Sequence, residues 1–184
     1  MTPAEQLKEE HQGILLMLRI LEKVAAKLEA DERVDPTHLE RIVEFLRVFA
    51  DKCHHGKEED LLFPALEKAG IPKEGGPIGV MLAEHQQGRG YIRGMVEALE
   101  RNKKGGPKSL ADYAENARNY IALLTQHIKK EDQVLFPMGE KVLSKQIQEG
   151  LLAGFEKIEV ERIGEGTHEK FHELLHHLRE VYLK

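Results

Sequence analysis

A short segment of this chain occurs twice, and the two copies align without gaps. Residues 54–64 (HHGKEEDLLFP) align with residues 127–137 (HIKKEDQVLFP), with His, Lys, Glu and the final Leu-Phe-Pro in common. Upstream, residues 10–12 match residues 84–86, since both read Glu-His-Gln. The offset is 74 residues at the upstream match and 73 at the downstream one. Because a repeat at a fixed period marks a duplicated structural unit, one helical hairpin has been used twice.

Signals for helix formation surround both copies. Thr2-Pro3-Ala4-Glu5 combines an N-cap, a proline at the first helical position and a capping-box glutamate, and Asp35-Pro36 repeats the start signal. Apolar residues recur at helical spacing, and we find no alternation of period two that would indicate strands. The predicted helices cover residues 3–30, 36–70, 78–102 and 109–140, with a linker over 103–107, then a fifth helix after Ser144, a break over 163–166 and a sixth over 167–184.

Four long helices with short connections predict an all-α fold, an antiparallel up-down four-helix bundle made of two duplicated hairpins. One or two C-terminal helices follow it. We expect the bundle to occupy residues 1–142 and residues 143–184 to form a helical extension that packs on it.

The duplicated residues carry metal-ligand chemistry. Residues four apart lie on one face of a helix, so His54 with Glu58 presents an imidazole and a carboxylate to the same neighbour. His11 lies early in the first helix, near the end where the antiparallel second helix carries His54, and the second hairpin repeats the arrangement. The predicted ligands are His11, His54, Glu58, His85, His127 and Glu131. Four imidazoles and two carboxylates suit two ions, with iron favoured and manganese or zinc as alternatives.

The order of these residues resembles the hemerythrin-like (HHE cation-binding) domain over roughly residues 1–140. The resemblance rests on a histidine, then His-x-x-x-Glu, then both again, with Leu-Phe-Pro after each glutamate. It implies a four-helix bundle with a non-haem di-iron centre held by the same six residues. Oxygen-carrying hemerythrins place their last carboxylate five residues after its histidine, a spacing that Asp132 satisfies, whereas the Leu-Phe-Pro register favours Glu131. They also have a fifth histidine where this chain has Arg89, which argues against simple oxygen transport and leaves an open position on one iron.

These features predict a di-iron protein that binds or reacts with a small diatomic molecule, oxygen or nitric oxide, or with peroxide. Sensing, detoxification and redox defence are all compatible, with or without turnover as an oxidoreductase. One alternative is an iron storage or delivery protein for the repair of iron clusters. Another is a structural or regulatory bundle in which the metal only stabilises the fold. The sequence leaves the oligomeric state open.

Charge and composition exclude several other classes of function. The net charge is -5 and no basic stripe is present, so nucleic acid is not an expected partner. No apolar run is long enough to cross a membrane. Residues 1–10 are polar and acidic, unlike a secretory signal, and a single cysteine, Cys53, suits a reducing compartment. We therefore expect a cytoplasmic protein.

Several polar residues near the predicted ligands have two interpretations. Metal-bound imidazoles commonly donate to carboxylates, but the sequence alone favours a solvated face for His55, Glu59, Glu10 and Glu84. Tyr120 is assigned to the core. Of the C-terminal histidines, His168 and His172 are the better candidates either to complete the open iron position or to bind a separate metal. The alternative is that both histidines lie on a solvent-exposed surface.

Overall fold

The computed structural model describes residues 1–106 and 109–184 and confirms the predicted all-α bundle. Pro107, the last residue of the predicted linker, lies outside the described residues. None of the described helices combines the length and the apolar character needed to cross a membrane. The first and third helices are uninterrupted and span Pro3–Glu29 and Pro77–Lys103. The second and fourth helices each consist of successive segments. The second runs from Pro36–Phe45 to Phe63–Lys68, and the fourth runs from Ser109–Lys130 to Phe136–Val142.

The helices begin and end where local chemistry satisfies their free backbone groups. The Thr2 hydroxyl accepts from the Glu5 backbone N–H at 3.1 Å, and the Glu5 carboxylate accepts from the Thr2 N–H at 2.7 Å. The Asp35 carboxylate caps the second helix by accepting from the Thr37 N–H at 2.9 Å. That helix ends at Lys68, and Gly70 takes a φ of +99°, a conformation that favours glycine.

The second and fourth helices widen into π-helix where the duplicated segment lies. The π-helical stretches are Leu46–His55, Glu58–Leu62 and Glu131–Leu135. We attribute the last two to the prolines that follow them, Pro64 and Pro137. A proline inside a helix has no N–H and its ring clashes with the carbonyl four residues earlier, and a wider turn relieves that clash. The Leu-Phe-Pro repeat therefore shapes the turns on which Glu58 and Glu131 lie.

Two apolar clusters fill the interior, one on each side of the predicted ligands. On the first helix Leu7 belongs to the smaller cluster and Ile14 to the larger, with His11 between them. On the third helix Met81 and Ile92 flank the predicted ligand in the same way. The layer of predicted ligands is thus enclosed at both ends by close-packed apolar side chains.

The C-terminal extension packs against the bundle. It comprises a helix, a π-helical stretch and, after a turn with positive φ at Gly164 and Gly166, a last helix: Lys145–Ile158, Glu159–Ile163 and Thr167–Tyr182. Gly154 lies so close to the second helix that a Cβ there would be 2.8 Å from Leu61 Cδ1. Phe155 is fully buried in the smaller cluster, and Leu178 is fully buried in the larger.

We expect Phe155→Ala to destabilise the protein strongly. The change leaves a cavity in the smaller cluster, and such truncations cost about 3–5 kcal/mol. Ile147→Ala on the same helix is the matched control, because Ile147 is 46% exposed and its loss should change stability by no more than about 0.5 kcal/mol. Chemical denaturation followed by circular dichroism measures both. Equal free energies of unfolding for the two variants would show that the extension does not contribute to the core.

Candidate metal centre

The structure brings all six predicted ligands together at one level of the core. Their side chains come from the four bundle helices, and each is 0–1% exposed: His11, His54, Glu58, His85, His127 and Glu131. The histidines pair within each hairpin. The ring centroids of His11 and His54 are 4.6 Å apart, and those of His85 and His127 are 4.8 Å apart.

Each glutamate lies between the two histidine pairs. One oxygen of each carboxylate approaches a histidine of its own hairpin and the other oxygen approaches a histidine of the second hairpin. The four contacts are Glu58 Oε1 to His54 Nε2 at 3.4 Å, Glu58 Oε2 to His85 Nε2 at 3.2 Å, Glu131 Oε1 to His127 Nε2 at 3.1 Å, and Glu131 Oε2 to His11 Nε2 at 3.1 Å. The contact pattern of one hairpin is therefore repeated by the other.

The polar atoms at the middle of this cluster fit a bound cation. Within the described residues, His11 Nε2, His54 Nε2 and both carboxylate oxygens of Glu58 and Glu131 are buried without a hydrogen-bond partner. Burying such groups unpaired is costly, and coordination to a metal removes that cost. Ligand atoms of His11, His54, Glu58 and Glu131 all lie within 4.8 Å of one another, which is close enough to surround an ion.

A carboxylate lies behind each of these four histidines, on the side away from the cluster. The Nδ1 contacts are His11 to Asp132 at 2.7 Å, His54 to Glu10 at 2.7 Å, His127 to Glu84 at 3.1 Å and His85 to Glu59 at 3.7 Å. At His11, His54 and His127 the carboxylate is within hydrogen-bond distance, so it holds the Nδ1 proton and leaves the Nε2 lone pair directed toward the centre. At His85 the longer distance to Glu59 makes this an ion-pair contact and not a hydrogen bond.

The prediction of a solvated face for Glu10, Glu84 and Glu59 is therefore wrong. Glu10 is only 7% exposed, and all three carboxylates contact histidines on a neighbouring helix. Sequence spacing within one helix cannot reveal a contact across two helices. The duplication was the available signal, because Glu10 and Glu84 occupy matching positions in the two copies. Asp132 lies behind His11, whereas Glu131 lies within the cluster.

A pair of lysines extends the repeat beyond these carboxylates. Lys57 forms ion pairs with Glu10 and with Glu159 of the C-terminal extension. Its counterpart Lys130 lies 2.5 Å from Glu84. Lys57 is fully buried, whereas the Lys130 side chain is 44% exposed, because the extension covers only the first hairpin at this point.

Protonation of the histidines is coupled to the charge of the buried glutamates. Burial and the neighbouring Glu131 would raise the pKa of Glu58, but His54 and His85 outweigh both effects and lower it to about 2. Burial would lower the pKa of His54, but Glu58 and Glu10 raise it to about 10. For the same reason the carboxylates of Glu58 and Glu59 raise the pKa of His85 to about 9 against the effect of burial. In the metal-free protein, protons on the imidazoles thus balance the ionised glutamates.

Arg89 occupies the position where oxygen carriers have a fifth histidine. Its Nε donates to Asp51 Oδ1 at 2.9 Å, and its guanidinium also pairs with Glu59. The side chain is 24% exposed. Arg89 therefore braces two carboxylates beside the cluster, a role that the sequence did not reveal.

The C-terminal histidines belong to a different part of the structure. His168 Nε2 lies 3.4 Å from Cys53 Sγ and 4.0 Å from Glu159 Oε1, and these three residues form a separate group of potential ligands. His172 is exposed. Burial raises the pKa of the Cys53 thiol to about 12, so this sulfur carries a proton at neutral pH.

Comparison with known proteins agrees with this geometry. Residues 2–139 match the hemerythrin HHE cation binding domain, and the chain belongs to that family. The uncharacterized proteins Rv1995 of Mycobacterium tuberculosis and Mb2018 of Mycobacterium bovis are each 28% identical to it over 164 residues, which is 89% of this chain and 64% of theirs. The chain thus spans less than two thirds of the length of these relatives. No solved structure shows a significant match.

We expect the metal-free protein to lose stability at alkaline pH. The pKa values of His54 and His85, about 10 and about 9, exceed the ordinary 6.5, so their contribution is complete below pH 6.5 and is lost as the pH rises through 9 to 10. The melting temperature should fall by at least about 5 °C between pH 6.5 and 10, since 1 kcal/mol corresponds to about 2–4 °C in a chain of this size.

Differential scanning calorimetry across this pH range measures the effect. His54→Gln is the control, because it removes one of the two titrating groups and should reduce the fall. An equal fall in both proteins would contradict the assignment.

Proposed function

We propose that this chain holds two iron ions and that the iron pair binds or reacts with a small diatomic molecule or peroxide. The proposed ligands are His11, His54, Glu58, His85, His127 and Glu131. The observation that supports the proposal most is the position of the two buried glutamates, each of which spans both histidine pairs. A carboxylate placed in this way can bridge two ions while each ion keeps two imidazoles.

The donor set of four imidazoles and two carboxylates is one that suits iron. Mixed imidazole and carboxylate ligation suits iron, manganese and zinc, and Cys53 pairs with His168 away from the six ligands. Two carboxylates contribute two negative charges, and the four imidazoles add none when they are neutral. Such a site would suit ions that change charge, because Glu58 and Glu131 would offset part of the positive charge of the ions that they hold.

When bound, an iron pair supplies reversible electron exchange with a small ligand. The chain supplies the surroundings for that exchange. Glu10 and Glu84 hold the Nδ1 protons of His54 and His127, which keeps the Nε2 atoms available. Phe136 stacks on His11 and Phe63 on His85, with ring centroids 5.6 and 5.9 Å apart, so apolar rings help to exclude water.

Iron delivery receives less support from the geometry. A protein that releases iron to a partner needs ligands that solvent or the partner can reach, and the six proposed ligands are at most 1% exposed. Reaction with peroxide or a diatomic molecule requires no partner protein to reach the ligands. We therefore favour chemistry at a retained iron pair over transfer of the iron.

The protein expressed in iron-rich medium should contain about two irons per chain, as expected for a bridged pair of metals. It should also show charge-transfer absorption that changes when azide or nitric oxide is added. The double variant His54→Ala, His127→Ala removes one imidazole from each pair and should retain little iron. Metal analysis and optical spectroscopy measure these properties.

His176→Ala is the control, since His176 is exposed on the last helix and its loss should leave the iron content unchanged. A double variant that still held two irons per chain would refute the ligand assignment. A colourless wild-type protein that contained only zinc would refute the proposed chemistry.

A further inference from the structure

A histidine outside the six proposed ligands lies against the second histidine pair. His55 is 4% exposed, so its assignment to a solvated face is wrong. Its ring stacks on that of His85 with centroids 3.8 Å apart and lies 5.7 Å from the ring of His127. Ligand atoms of His55, Glu58, His85 and His127 all lie within 4.8 Å of one another. These four residues form a second group of potential ligands, which shares Glu58 with the first.

His55 also has the carboxylate partner that marks the other four histidines. Its Nδ1 lies 3.2 Å from Asp51 Oδ1, one helical turn earlier. Because Asp51 accepts the Nδ1 proton, the Nε2 lone pair is the one available to an ion. A buried histidine that served only to fill space would not need this polarity.

Arg89 fixes the carboxylate behind His55. Its guanidinium donates to Asp51 through Nε at 2.9 Å and 3.0 Å, and it pairs with Glu59 behind His85. One arginine therefore holds both Asp51, which contacts His55, and Glu59, which contacts His85. Arg89 stands where oxygen carriers have a fifth histidine. Through Asp51 it orients His55, a different histidine, on the facing helix.

The duplication is broken at this position. His55 aligns with Ile128 in the second copy, and Ile128 is buried. The first histidine pair therefore has no third imidazole at the corresponding place. This difference makes the two halves of the cluster unequal in their number of imidazoles.

We propose that His55 is a seventh metal ligand, which coordinates the ion held by His85 and His127. The two ions are then inequivalent, with three imidazoles around one and two around the other. This inference rests on the proposed metal pair, but it does not require iron. Arg89 and Asp51 act as positioning residues for His55.

The direct test uses the wild-type chain with ¹⁵N-labelled histidine and Zn²⁺ as the probe. The His55 signals are assigned through their backbone connectivities in the full chain. On zinc loading, the Nε2 resonance of His55 should move to the metal-bound range together with those of His11, His54, His85 and His127. An unchanged His55 resonance beside four shifted ones would overturn the inference and leave the proposed metal pair intact. A wild-type protein that bound no metal at all would instead refute the proposed function.

His55→Phe tests the alternative that the ring only stacks on His85. Phenylalanine keeps a flat ring but has no ligand nitrogen, so one of the two irons should be retained at least about 100-fold more weakly, beyond the usual effect of losing an outer partner. Iron content after chelator challenge and the Mössbauer spectrum measure this loss. A folded His55→Phe protein that kept both irons with unchanged Mössbauer parameters would also overturn the inference.

Discussion

The burial of two carboxylates, Glu58 and Glu131, in the middle of a helical core is the constraint on which the rest of the structure depends. Neither has a hydrogen-bond partner among the described residues, so the charge of each must be balanced by the imidazoles around it or by a bound cation. Histidines surround them from the four bundle helices, and further carboxylates orient those histidines. The apolar clusters on either side then fix the positions of all these groups.

The sequence predicted the helices and the six proposed ligands because both depend on local or duplicated patterns. Capping residues and apolar spacing are read along one helix, and the Leu-Phe-Pro repeat places Glu131 in register with Glu58. The partners of the histidines could not be read in this way. Glu10 contacts His54 across two helices, and only the packing of the bundle creates that contact. The π-helical turns were also missed, because a period of 3.6 residues does not anticipate them.

His55 was missed for a different reason. The search for ligands relied on identity between the two copies, and a residue that occurs in one copy alone fails that criterion. In an ordinary α-helix His55 would lie about 100° around the helix from His54, and the sequence alone favoured a solvated face for it. The π-helical stretch Leu46–His55 changes the angular relation between neighbouring side chains, so both imidazoles are buried. Duplication identifies what the two halves share, and the structure is needed for what distinguishes them.

The unequal burial of Lys57 and Lys130 has an electrostatic consequence. These lysines hold equivalent glutamates, but one lies in a medium of low dielectric constant and the other is screened by water. A change of charge at the centre therefore interacts more strongly with the lysine of the first hairpin than with its counterpart. By covering a single lysine, the C-terminal extension makes the electric field across the duplicated site asymmetric. Two copies of one hairpin thus provide two different electrostatic environments for a charge at the centre.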